Sequence, residues 1–117
     1  MPSVMLVEDH APMRATLRLW LAELAAPITE CENGTDVCAV YAAHHPDWVL
    51  MDIDLPGQDG ITATRALLTA NPAACVLIVT GYDDADLRQA AAAAGARGYV
   101  LKENLWELWH WLQQANE

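Results

Sequence analysis

Five polar side chains stand at the ends of short apolar runs: Glu8 and Asp9 after residues 4–7, Asp52 after 48–51, Thr80 after 75–79 and Lys102 after 98–101. If these runs are neighbouring parallel strands, their carboxyl ends share one edge, where open α/β sheets bind ligands. Three carboxylates gathered there repel one another and hold protons until a cation relieves them. A hard divalent ion with oxygen ligands is the natural relief, and Mg²⁺ suits a site with few protein ligands that keeps waters and meets phosphate. Lys102 and Thr80 then offer a cation and a hydrogen-bond donor to a phosphoryl group. Asp52, central among the five, is the obvious nucleophile for an acyl phosphate.

The elements that must position these groups follow from the apolar pattern. Val4-Met5-Leu6-Val7 reads as a buried strand. Pro12 suits a first helical turn, and Met13, Leu17, Trp20, Leu21 and Leu24 follow as one stripe that predicts a core-facing helix. Residues 27–31 form a weaker strand closed by the turn signal Asn33-Gly34. A helix with Val37, Val40 and Tyr41 inward runs to His44-His45-Pro46. Trp48–Met51 is the third strand, and the loop Leu55-Pro56-Gly57-Gln58-Asp59-Gly60 leads into a helix ending near Asn71-Pro72. Residues 75–79 make the fourth strand, and Asp83 or Asp84 caps an alanine-rich helix that stops at Gly95. Gly98–Leu101 is the fifth strand, and a last helix is expected over residues 104–115. Five βα units with continuous apolar strands predict a doubly wound parallel sheet in a single domain spanning residues 1–117.

Composition narrows the function. The 117 residues, 54% hydrophobic, are enough for one domain with a buried core. No apolar run approaches a membrane span, and the start lacks signal-peptide features, so a soluble, cytoplasmic chain is expected. Sixteen acidic residues against six basic ones give a net charge of −10, the wrong sign for gripping nucleic acid. Cys31, Cys38 and Cys75 have no metal-ligand spacing and read as small hydrophobes in a reducing compartment. Lys102 is the only lysine, and it falls at a strand end beside the acids.

The segments Val7-Glu8-Asp9-His10, Met51 to Gly60, Val79-Thr80-Gly81 and Gly98 to Lys102 resemble, in order and spacing, the signature segments of response-regulator receiver domains of two-component phosphorelays. The resemblance extends over essentially the whole chain and implies the flavodoxin-like (βα)5 fold. It implies that Asp52 is the phosphoacceptor, and that Asp9, Asp52 and the backbone carbonyl of Asp54 ligate Mg²⁺, with Glu8 acting through a bound water. It further implies that Thr80 and Lys102 contact the phosphoryl oxygens, that Gly81 leaves room beside Thr80, and that Tyr99 swings inward as Thr80 moves. The phosphoryl donor would be the phosphohistidine of a sensor histidine kinase or phosphotransfer protein. The output would be a protein partner or a C-terminal output domain outside this chain, with a homodimer through helix four, strand five and helix five as one route. Such a protein is a signalling switch that assists its own phosphotransfer and dephosphorylation rather than an enzyme acting on others.

Glu103 follows Lys102 where many receivers have proline, so a trans bond is expected there. In the last helix Leu105, Leu108, Trp109 and Leu112 share a stripe and read as core, while Trp106 and Trp111 flank it and should be partly exposed. Two other readings compete. A haloacid-dehalogenase-type phosphatase uses an Asp-x-Asp pair like Asp52-Ile53-Asp54, but after its first strand and in a longer chain. A receiver-like docking module independent of phosphorylation usually lacks the acceptor, the acid pair or the lysine, and all three are present here.

Overall fold

The computed structural model describes residues 1–114. Five parallel strands, β1 (Val4–Val7), β2 (Ile28–Cys31), β3 (Trp48–Met51), β4 (Val76–Thr80) and β5 (Gly98–Leu101), form one sheet in the order β2-β1-β3-β4-β5. The central strands are buried on both faces, which explains their uninterrupted apolar sequences. Neighbours are in close register, Val7 with Met51 and Met51 with Ile78, so strands β1, β3 and β4 end side by side.

Helices α1 (Ala11–Leu21), α2 (Val37–His44), α3 (Gly60–Ala70), α4 (Ala85–Ala94) and α5 (Glu107–Leu112) cover the sheet. Alternation along each strand divides the interior. Met5, Val7, Val49, Met51 and Ile78 face α2, α3 and α4, whereas Leu6, Leu50, Leu77 and Val79 face α1 and α5. Pro12 lies in the first turn of α1, Asp84 caps α4 through the Leu87 N–H, and Gly95 closes α4 in the left-handed conformation. Asp59 caps α3, its carboxylate accepting from the Ile61 and Thr62 N–H groups.

The fold agrees with the expected one, with local corrections. β2 begins at Ile28, and β4 runs from Val76 through Thr80 rather than from Cys75 to Val79. The last helix does not start at 104. Lys102–Asn104 form a 3₁₀ turn and α5 begins at Glu107, because the chain leaves the strand in the tighter coil common before α-helices. The expected end at Ala115 lies outside the described residues. Lys102–Glu103 is trans, as anticipated, and the cis bond among the described residues is Ala26–Pro27.

Two stripe residues were misassigned to the core. Trp20 is 47% exposed and Trp109 54% exposed, while Leu17, Leu21, Leu105, Leu108 and Leu112 fill the space beneath the helices. Each residue turns the helix by about 100°, so a helix lying flat on a sheet has room for one or two inward side chains per turn, and the bulkiest neighbours stay outside. Trp111 is half-buried and meets Trp48 edge-on, with ring centroids 6.4 Å apart. Leu108→Ala should therefore cost about 2–5 kcal/mol in denaturant melts. Trp106→Ala, at a position 54% exposed, should change stability by no more than roughly 0.5 kcal/mol.

Candidate functional site

The strand ends bring the five predicted side chains to one edge. The ladder continues one residue beyond β1 and β3: the Glu8 N–H donates to the Cys31 carbonyl and the Asp52 N–H to the Val7 carbonyl. Both backbones are thereby held in sheet geometry, and both side chains are almost removed from solvent, Glu8 at 1% and Asp52 at 6% exposure. Asp9 lies exposed at the rim. One oxygen from each of Glu8, Asp9 and Asp52 falls within 4.8 Å of the others.

Lys102 reaches this cluster from the end of β5. Its Nζ lies 2.8 Å from Glu8 Oε1 and 3.3 Å from Asp52 Oδ2. The shorter contact is to Glu8, so the ammonium bridges both acids. Burial alone would lower the Lys102 pKa, but its hydrogen bond to Glu8 and the adjacent Asp52 charge raise it, so it stays protonated. Asp52 behaves in the opposite way. Burial and then repulsion from Glu8 push its carboxyl from 3.8 up to about 6, despite Lys102 and the Ile53 N–H bonded to Oδ1 at 2.8 Å.

Thr80 is fully buried, and its hydroxyl oxygen accepts from the Tyr82 N–H at 3.3 Å. Tyr99 donates from its hydroxyl to the Tyr82 carbonyl at 2.7 Å, and the Arg88 guanidinium carbon lies 4.6 Å from its ring centre. The Asp54 side chain is exposed and outside the carboxylate cluster, accepting a short hydrogen bond from the Tyr82 hydroxyl. A Cβ on Gly81 would meet nothing within 4 Å, in keeping with open space beside Thr80.

Three further residues support the site. Tyr82 touches Thr80, Tyr99 and Asp54 at once, a convergence that only the fold creates. Arg14 donates to the Glu8 carbonyl at 2.9 Å and pairs with Glu30 and Glu32, holding the end of β1. Gly60 presses against the Asp52 backbone, since a Cβ there would stand 1.8 Å from the Asp52 carbonyl oxygen. The Asp59-Gly60 pair carried part of that signal as a helix start without side-chain bulk.

A profile of the response regulator receiver domain matches residues 4–111. The chain belongs to this family. The receiver is 36% identical over 99 residues to the chemotaxis protein CheY of Halobacterium salinarum, covering 85% of this chain and 82% of that protein. It is 34% identical to the DNA-binding transcriptional regulator NtrC of Salmonella typhimurium, of which it spans only 21%. Among solved structures, a two-component response regulator of the LuxR family from Aurantimonas sp. superimposes with a TM-score of 0.86 at 33% identity, covering 97% of this receiver and 83% of that chain. Membership of this family leaves the phosphatase reading without support.

The receiver's three carboxylates fit a hard, oxygen-preferring dication. The donors are all oxygens, Asp9 leaves the rim open, and the Glu8 repulsion that, after burial, raises the Asp52 pKa is what a cation removes. Because folding raises the Asp52 pKa, the resulting stability is present in full below about 3.8 and lost as pH rises through 6. In chelator, Asp52→Asn should therefore match the wild type near pH 3.5 and exceed it by roughly 2–3 kcal/mol at pH 8, as read from urea melts. A constant difference across that range would show that Asp52 carries no such burden.

Proposed function

We propose that this receiver is a phosphorylation switch of a two-component phosphorelay, with Asp52 as its acceptor. The observation that carries this reading is the Lys102 ammonium held between Glu8 and Asp52, 3.3 Å from the latter, at an edge that also presents Asp9 and Thr80. A carboxylate oxygen of Asp52 attacks the phosphorus of a phosphohistidine, the P–N bond breaks, and its electron pair leaves on the imidazole, which takes a proton from solvent. The product is an acyl phosphate, and later attack by water on phosphorus releases phosphate and restores the carboxylate. This chemistry is mainly positioning and charge neutralisation, which a small domain can supply without being an enzyme for other substrates.

Glu8, Asp9, Asp52 and the Asp54 carbonyl would hold Mg²⁺, which when bound neutralises the gathered acids and the incoming phosphoryl oxygens. Lys102 follows the charge from the carboxylate to the phosphoryl group. Thr80 turns its hydroxyl towards the phosphoryl oxygens and gives up the Tyr82 N–H. Tyr99, bonded to the Tyr82 carbonyl, responds to that movement. Residues 1–117 act as one receiver domain in the cytoplasm, and no helix among the described residues is long and apolar enough to cross a membrane. The donor is a sensor histidine kinase or histidine phosphotransfer protein. The output passes to a protein partner or an attached domain, with a homodimer through α4, β5 and α5 as one form. At −10 this chain does not itself grip nucleic acid.

Incubation with acetyl phosphate and Mg²⁺ should add one phosphate mass to the wild type and none to Asp52→Asn. Equal labelling of both would move the acceptor elsewhere. Millimolar Mg²⁺ should raise the melting temperature above that in chelator, and Asp9→Ala should remove most of the difference. Lys102→Ala should still accept the phosphoryl group yet lose the spectral change that beryllofluoride and Mg²⁺ produce in the wild type. A change of wild-type size in that variant would make Lys102 dispensable for switching.

A further inference from the structure

Six large hydrophobic side chains are exposed among the described residues, and four of them, Leu19, Trp20, Trp106 and Trp109, lie on helix α1 or at α5. Leu19, Trp20, Leu24 and Trp109 line a groove of about 470 Å³ between the end of α1 and α5. His110 joins Trp106 to this surface, its ring centre 5.3 Å from that of Trp109 and 6.1 Å from that of Trp106. None of these residues belongs to the phosphorylation site, which lies on other elements. The surface also differs from the α4–β5–α5 face. Trp109 packs on the α1 side of α5, whereas Trp111, on the β5 side, is half-buried over Gly98 and Trp48.

We propose that this groove is the contact by which two copies of the chain associate through their α1 and α5 helices. Area and charge both favour a second copy. Three tryptophans about half exposed and a leucine 79% exposed present about 500 Å² of apolar surface, near the upper end for a monomer. Twofold apposition doubles that to about 1,000 Å², the threshold of a specific if weak interface, before any rim contact is added. The projecting Leu19 and the groove beside it lie on the same patch, which is what a self-complementary twofold interface requires. The groove is lined by a single charged side chain, Glu23, on a molecule of net charge −10. Two such molecules repel least where charge is least, while a basic partner would be drawn to the acidic loops instead.

This contact is independent of the phosphorylation reading and is tested without phosphodonor. Sedimentation equilibrium of the whole chain from about 5 µM to 1 mM should show a monomer–dimer equilibrium within that range. Raising NaCl should tighten it, because salt screens the repulsion between acidic copies and leaves apolar contact intact. Leu19→Glu and Trp109→Glu should each weaken association at least tenfold, while dilute-solution melting and phosphate labelling match the wild type. Arg88→Glu, on the α4–β5 face, should leave association unchanged. A chain monomeric throughout overturns the proposal. So does a dimer that loosens in salt, survives both groove variants, or is abolished by Arg88→Glu.

Discussion

Two buried carboxylates and one ammonium govern this molecule. Glu8 and Asp52 are almost fully withdrawn from water, a few ångströms apart, with Lys102 between them. Charges in such a place are tolerated only when paired, and one cation cannot satisfy two anions together with a third at the rim. The residual imbalance appears as the raised Asp52 pKa. The sheet makes it unavoidable, because parallel register ends β1 and β3 side by side and places β5 close enough for a lysine side chain to bridge them. The site is thus held under electrostatic tension that a dication or a change in charge at Asp52 alters directly.

Much of this was legible before any coordinates. Strands buried on both faces must be apolar throughout, so β1, β3 and β5 were bounded to the residue by the polar groups that end them. The same punctuation named Glu8, Asp9, Asp52, Thr80 and Lys102, since a charged residue after an apolar strand can lie only at the sheet edge. The partner of Lys102 was less legible. Glu8 and Asp52 stand at the ends of adjacent strands, and which carboxylate is nearer depends on rotamers that spacing does not encode. The contacts of Tyr82 were illegible for a related reason: its hydroxyl, N–H and carbonyl find partners on three different segments.

The helices were harder, because their stripes do not say how deep each residue sits. Leu17 and Leu108 are buried where the pattern put them, yet Trp20 and Trp109, on the same stripes, are outside. At these two positions leucines already occupy the wedge between helix and sheet, which leaves no room there for a tryptophan ring. Its appearance on the stripe therefore marked the border of the core rather than its centre. The start of α5 was misplaced because the 3₁₀ turn at Lys102–Asn104 contains ordinary helix-compatible residues.

The division of the interior by the sheet bears on how such a molecule diversifies. Strand side chains alternate between a core under α2, α3 and α4 and a separate one under α1 and α5, with no residue common to both among those described. Gly60 and Arg14 tie the reactive edge to the backbone, where substitution disturbs chemistry at once. The outward sides of α1 and α5 carry no such obligation. Mutations there can accumulate and be sorted by selection for new associations while the reactive edge is inherited unchanged. One ancestral sheet edge can in this way radiate into lineages that differ chiefly in the company they keep.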